Sequence, residues 1–412
     1  MQRNIFYALM ALTFILVSGC RKGLDKALSA SSSSFGSAPP SFALANASGR
    51  NIAYDNGSGL NCILSYDIVT NAVSLTQISG GNLTPLFSSS QGLPLDDGTF
   101  FAVNQYSNMI TDNYNEVGGM HLLAYDLMGN GHQSYLIAYA PGTGQWWCFG
   151  PGSIANTWHF ISSNNSGIGG YDLKSVYDKI ITFEINGNGP RTALICYRPG
   201  AGIIYVLQNQ PTSQTNPLFV NVFKSSTGIG GTNGFDLSNT MDQIIAVDDQ
   251  PSTGNQDLMC YRPGGTGYFV YITHQSNSTA YNVAYWTHYG FPNFTFSNPQ
   301  DRIIPYDINK DGTQDYMFCY SPGNVGSINI YTITGGVPYG GLVTSGINTT
   351  YPMNRDPYVE PNPTYDGDKF ISFSGGEPGL SALLGYQNGG NLAYIFDLGT
   401  EYETFNLVYQ YN

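Results

Sequence analysis

The sequence predicts an all-β protein, a β-propeller of six four-stranded blades, and three observations carry that reading. A unit recurs six times along the chain, each copy holds four short β-rich runs separated by turn residues, and the composition suits strands and tight turns. Glycine (50), tyrosine (31) and proline (22) are abundant while charged residues make up only 10% of 412. That balance favours short strands and argues against a helical bundle.

Three copies align by eye: "DKIITFEINGNGPRTALICYRPGAGIIYVLQNQ" from Asp178, "DQIIAVDDQPSTGNQDLMCYRPGGTGYFVYITHQ" from Asp242 and "DRIIPYDINKDGTQDYMFCYSPGNVGSINIYTIT" from Asp301. A fourth, from Met120, keeps the same skeleton, and weaker copies begin near Asn51 and Asp368. The tyrosine closing the second run marks the period: Tyr66, Tyr139, Tyr197, Tyr261, Tyr320 and Tyr386. In the third copy the four runs are "KIITFEI", "TALICYR", "GIIYVLQ" and "LFVNVF". Four strands per unit repeated around a ring is the signature of a propeller. A β-solenoid is the rival, and its units are usually shorter. The first and last copies each carry all four runs, so closing the ring requires no shared strand.

The chain opens "MQRNIFYALMALTFILVSGCRKG", with Arg3 ahead of a short apolar run from Ile5 to Val17. Its length suits a signal h-region and falls short of the ~20 apolar residues of a membrane span. "VSGC" resembles the bacterial lipobox, which implies a lipoprotein signal peptide over 1–19 and a lipidated Cys20. The alternative is an ordinary signal peptide followed by an incidental cysteine. The expectation is a bacterial cell-envelope protein, an outer-membrane lipoprotein either periplasmic or surface-exposed, held to the membrane by its lipid anchor only. Residues 20–43 read as a Ser/Ala/Pro-rich linker and 44–412 as the propeller.

A formal charge of −13 disfavours nucleic acid as a partner, since phosphate backbones are bound through clustered Lys and Arg. Beyond Cys20 there are five cysteines, Cys62, Cys148, Cys196, Cys260 and Cys319. The odd number and wide spacing suggest neither a disulfide framework nor a zinc site. Three of them immediately precede a period-marking tyrosine and read as small buried apolar residues.

The stretch "DINKDGTQD" from Asp307 places oxygen-bearing side chains at its first, third, fifth and ninth positions and glycine at its sixth. That spacing suits a hard cation such as calcium. It is not a helix-loop-helix calcium hand, because position twelve is Phe318, within an apolar run, rather than a bidentate Glu. A D-x-N-x-D-G-x-x-D loop between the first two strands of such a unit resembles the FG-GAP/VCBS family of propeller repeats. The integrin α-subunit head and a group of propeller lectins share that kind of repeat. The Y-[RS]-P-G-x-x-G turn and the interblade "GIGGYDL" resemble a subgroup in secreted bacterial proteins. The resemblance implies one structural Ca2+ held by Asp307, Asn309, Asp311 and Asp315 side chains, with the Thr313 carbonyl as a fifth ligand. An Asx-rich turn that binds nothing is the alternative. The equivalent loops from Asp126 and Glu184 have lost most acidic ligands, so hydrogen bonds are expected to close them.

No G-x-S-x-G, H-E-x-x-H, C-x-x-C, Walker or G-x-G-x-x-G pattern occurs, and no catalytic residues are assigned. Asp178, Asp242 and Asp301 precede equivalent strands, and Arg198 and Arg262 occupy equivalent "YRPG" turns. These residues read as repeated structural pairings, or else as a polar rim facing ligand. Where the third run begins, Trp146, Ile204, Phe269 and Ile328 form a core column. Trp147, Tyr205 and Tyr268, in the varying positions between, are candidates for stacking against sugar rings. The functional expectation is a binding protein for glycan, or alternatively for a surface protein; a polysaccharide-active enzyme is the third reading.

Overall fold

The computed structural model describes residues 48–411 except 58–60, 80–81, 113–115, 187–191, 211–216, 250–255, 266, 276–277, 309–312, 315, 323–326, 335–336, 346–367, 375–380, 388–391 and 399–404. Among the described residues are six four-stranded antiparallel sheets, each built from four consecutive strands. The strand nearest the axis of each blade is Gly49–Tyr54, His121–Tyr125, Lys179–Phe183, Gln243–Val247, Arg302–Tyr306 and Asp368–Phe373. Each of these touches the equivalent strand of the next blade, and the last touches the first, so the ring is closed. No strand is exchanged between the ends. An additional short hairpin, Leu93–Pro94 with Phe100–Phe101, lies in the long connector between blades 1 and 2.

Burial explains the pattern of the runs. The second strand of a blade, such as Ala193–Arg198 (ALICYR) or Asp257–Tyr261 (DLMCY), is buried almost throughout because a neighbouring blade covers each face. It therefore reads as a continuous apolar run rather than an alternating one. The fourth strand, as in Tyr281–Thr287, alternates with solvent. A register irregularity between third and fourth strands recurs in all six blades, for example at Val206/Leu207 and Tyr271/Ile272. Bulges of this kind increase local twist.

The hydrophobic core is divided among the interfaces. Six clusters each join two consecutive blades, from Leu64 with Leu122 and Leu136 in the first interface to Ile63 with Phe373 and Leu384 in the closing one. The five cysteines among the described residues are buried free thiols, as the repeat position implied for Cys196, Cys260 and Cys319.

The period-marking tyrosines have a specific task. The Tyr66 hydroxyl accepts the backbone N–H of Leu122 at 2.9 Å, and Tyr139, Tyr197, Tyr261 and Tyr320 accept those of Ile180, Ile244, Ile303 and Phe370 at 3.2–3.3 Å. Tyr386 reaches the Asn51 side chain at the equivalent place in blade 1. Each innermost strand is a sheet edge with amides that no further strand can satisfy, and the neighbour's phenol supplies the acceptor. Burial keeps these phenols neutral, pushing Tyr66 and Tyr261 up to about 12. At the opposite end of the blades, Tyr54, Tyr125 and Tyr306 donate to the carbonyls of Ser134, Thr192 and Ser381, each at 2.7 Å and each in the next blade.

The recurring glycine turn and the interblade segment lock together. Leu173 and Leu237 sit at φ 51° and 52°, and their carbonyls accept N–H bonds from Gly142 and Gly144, and from Gly200 and Gly202, at 2.8–3.1 Å. Gly167, at φ +88°, lies so close to Tyr171 that a Cβ would stand 1.9 Å from its carbonyl oxygen.

Tyr197→Phe is expected to destabilise the protein by about 1 kcal/mol through one unsatisfied buried amide, and Gly167→Ala by more than about 2 kcal/mol. Denaturant titration checks both; a Gly167→Ala protein as stable as the parent would refute the backbone assignment.

Candidate functional site

Strand direction divides the predicted site residues between two ends of the ring. The calcium-type loops join first to second strands. The "YRPG" turns, the start of the third strand and the end of the fourth strand all lie at the other end, as the pairing of Phe269 with Thr287 and of Tyr261 with Gln243 shows.

At the loop end, Asp307 and Thr313 are buried, whereas Asn309, Asp311 and Asp315 lie outside the described residues, as does Cys20. Among the described residues no group of three or more His, Cys, Asp or Glu side chains is placed to hold a metal. The neighbouring loops close by hydrogen bonds, as expected. Asp126 accepts from the amides of Asn130 and Gly131 at 3.2 and 2.7 Å, and Glu184 from that of Asn186 at 2.6 Å. The loops are also stapled pairwise: Gln314 N–H donates to the Asp248 carbonyl at 2.6 Å, and Asp248 N–H to the Gln314 side chain at 3.2 Å. Glu184 and Gln256 repeat that exchange one interface earlier.

The blade 4 loop contains a feature the sequence did not disclose. Asp257 is buried beside the Asp249 carboxyl and accepts the His274 N–H at 2.7 Å and the Tyr271 hydroxyl at 3.5 Å. Burial, reinforced by the adjacent Asp249 carboxyl, pushes Asp257 up to about 7. Two neighbouring carboxyls in a dry site are stable only when at least one of them is protonated.

At the opposite end, Arg198 is bidentate to buried Asp178, Nε at 2.7 Å and an Nη at 2.8 Å, and also meets Asp172. Arg262 repeats this with Asp242 (2.6 and 2.8 Å) and Asp236 (2.5 Å). Asp178 and Asp242 also cap their own turns by accepting the amides of Ser175 and Asn239. Both guanidiniums are thus engaged in the repeated pairing.

The aromatic candidates are all half-buried. Tyr205 meets Tyr171 edge-on at 5.4 Å. Tyr268 stacks on Phe235 (5.5 Å) and His288 (4.6 Å), so its ring backs a surface whose exposed members are Trp286 and Tyr289, 46% and 86% accessible. Sequence reasoning missed those two because they lie at the end of the fourth strand and just past it, where the copies align least well. Trp147 packs against Phe101 and Tyr106 of the connector and lines a surface pocket of about 420 Å³ with Gln145, Ser163, Asn164 and Asn165. The Tyr106 hydroxyl donates to Gln145 at 2.5 Å and fixes that amide.

Between these rims the axis of the ring is a channel of about 370 Å³ lined by all six innermost strands. Opposite the six tyrosines stand Arg50, His121, Lys179, Gln243, Arg302 and Lys369. Two positions further along come Ile52, Leu123, Ile181, Ile245, Ile304 and Ile371.

No family model matches the chain, and no curated protein matches it. Solved structures resemble the chain at low identity. The lectin SapL1, in complex with α-methyl fucoside, is 10% identical over 89% of this chain and 97% of its own, with a TM-score of 0.45. AofleA from Arthrobotrys oligospora is 11% identical over 92% of both chains, TM-score 0.44. A proposed 6-phosphogluconolactonase from Bacteroides uniformis is 10% identical over 87% of this chain and 84% of its own, TM-score 0.44. Likeness at this level does not carry function.

The Asp249–Asp257 pair predicts a pH dependence. Because the folded pKa of Asp257 is raised, its contribution is fully present below the unfolded value and is lost as pH rises toward about 7. The melting temperature should fall between pH 4 and pH 7, and Asp257→Asn should remove that part of the fall, stabilising the protein at pH 8 by on the order of 2 kcal/mol. Parallel pH profiles for parent and variant would refute the shared proton.

Proposed function

We propose that this is a lipid-anchored, extracytoplasmic carbohydrate-binding protein and that its principal subsite is the Trp147 pocket. The observation that carries the reading is the composition of that pocket: one indole face bordered by three amide side chains, Gln145, Asn164 and Asn165, and the Ser163 hydroxyl. An aromatic face suits the C–H face of a pyranose, and amides supply both donors and acceptors for its hydroxyls. Asn164 and Asn165 are exposed, so a ligand reaches them without rearrangement. Trp286 and Tyr289 provide a second aromatic surface at the same end of the ring. The lipobox-like "VSGC" supports the anchor, with the serine-rich segment after it as a tether.

Calcium enters this reading as a stabiliser. Asp307 and Gln314 lie at the end of the blades remote from Trp147, and Gln314 is tied to Asp248 of blade 4. An ion there would stiffen the blade 4–5 interface without touching the ligand.

Two outcomes follow. On a glycan array the full chain should give hits sharing one terminal sugar, and Trp147→Ala should weaken binding to them at least tenfold, with a cooperative thermal melt showing that the variant is folded at the assay temperature; a blank array from folded protein would favour a protein ligand instead. Asp311→Ala should bring the melting temperature in calcium down to that in chelator, and a parent protein that melts identically in both would remove the metal.

A further inference from the structure

We infer that the Trp147 pocket selects sugars carrying an acceptor-only substituent, a carbonyl or a carboxylate, over sugars that offer hydroxyls alone. The inference rests on the carbohydrate reading of this pocket and deepens it. Within the lining, the hydrogen-bond acceptors are already engaged and the donors are free.

The oxygens of the three amide side chains are the first argument. Asn164 Oδ1 accepts the backbone N–H of Ser166 at 2.7 Å, and Asn165 Oδ1 accepts the Ser166 hydroxyl at 3.2 Å. Gln145 Oε1 accepts the Tyr106 hydroxyl at 2.5 Å. A backbone N–H can only donate, so the orientation of the Asn164 amide is set by its partner. For Gln145 the length makes the same assignment, since 2.5 Å suits O–H···O and is short for a bond from an amide nitrogen. A ligand hydroxyl approaching any of these oxygens would compete with a donor that the protein already supplies.

The nitrogens are the second argument. Among the described residues no acceptor is bonded to Gln145 Nε2, Asn164 Nδ2, Asn165 Nδ2 or the Trp147 indole N–H. The other two tryptophans of blade 2 differ. Trp146 donates to the Gly167 carbonyl at 2.9 Å and Trp158 to the Tyr54 hydroxyl at 3.2 Å. Four N–H-bearing groups and the Ser163 hydroxyl therefore remain for a ligand. Most of them are held on paired strands: Gln145 and Trp147 on one, Ser163 and Asn164 on the next, with Ser163 directly opposite Trp147.

Such a surface discriminates between kinds of oxygen. A sugar hydroxyl both donates and accepts, and against a lining of donors its own hydrogen has no partner but water. A carbonyl or carboxylate oxygen has no hydrogen to place and can accept two N–H groups at once. No charged side chain lines the pocket, so the selection is by hydrogen-bond polarity and not by ion pairing. An acetamido carbonyl and a uronate carboxylate share this chemistry.

Tyr106 acts here as a positioning residue. From the connector between blades 1 and 2 its hydroxyl holds the Gln145 oxygen, which leaves the nitrogen as the free end of that amide. Its ring also packs against Trp147 at 6.1 Å, a contact that phenylalanine would keep. Without the hydroxyl the Gln145 amide can turn and offer its oxygen to a ligand.

The test is calorimetric titration of the full chain with methyl glucoside, methyl N-acetylglucosaminide and methyl glucuronide, and with the corresponding galacto series. In at least one series a substituted sugar should bind at least about tenfold tighter than the plain glycoside, and Trp147→Ala should remove that binding. The preferred substituent identifies the source of the acceptor, acetamido or uronate. Tyr106→Phe should narrow the preference at least about threefold, whereas a role in packing alone would weaken every member equally and leave the ratio unchanged. Cooperative melts establish that each variant is folded. Plain glycosides that bind as tightly as their substituted counterparts would overturn this inference and leave the carbohydrate reading standing. Absence of binding by every member would overturn it too, and a blank glycan array would then remove the carbohydrate reading with it.

Discussion

A single blade of this protein cannot be stable alone, because both faces of its sheet are apolar and its innermost edge exposes backbone amides. Both problems are solved by the adjacent blade and by nothing else. The six apolar clusters lie between blades, and the six tyrosines reach from one blade to the innermost strand of the next. Every blade needs two neighbours, so the array is satisfied only when the last blade meets the first. Closure is a condition of stability rather than a decoration on it. It also creates the channel, since six innermost strands packed side by side leave an axis that their backbones cannot fill.

The repeat and its four-strand unit were legible because propeller blades impose the same burial on the same positions. The Cys-Tyr pairs at 196–197, 260–261 and 319–320 are a direct record: the cysteine faces a packed interface and the tyrosine bridges it. Sequence marked these tyrosines as a period without showing what they do, because a hydrogen bond to the next blade leaves no trace in spacing. The "YRPG" arginines were legible as a repeated pairing with the aspartates twenty positions before them. Their engagement with Asp172 and Asp236 was not, because those carboxylates belong to interblade segments that the repeat alignment treats as filler.

The channel cations were harder to see for a different reason. Arg50, Lys179, Arg302 and Lys369 are spread over more than three hundred residues, and each looks like an isolated charge at the start of a short β-rich run. Only a closed ring turns a column in an alignment into a cluster in space. The Asp249–Asp257 contact was obscured similarly, since the blade 4 loop is one residue longer than its counterparts and displaces the comparison.

The division of labour between the two ends of the ring follows from strand direction. First-to-second strand loops are stapled to one another around the ring, through Asp55 with Gln133, Glu184 with Gln256 and Asp248 with Gln314. That end is occupied by structural hydrogen bonds. The other end carries the "YRPG" turns, the exposed aromatics and the cationic mouth, and its outer strands alternate with solvent. Rigid elements below and variable side chains above is the arrangement that lets a scaffold present binding groups in fixed positions. In this protein the groups so presented are of two chemistries, aromatic and amide at the rim, cationic at the axis. One connector, between blades 1 and 2, contributes to both, Tyr106 to the rim and Glu116 to the mouth.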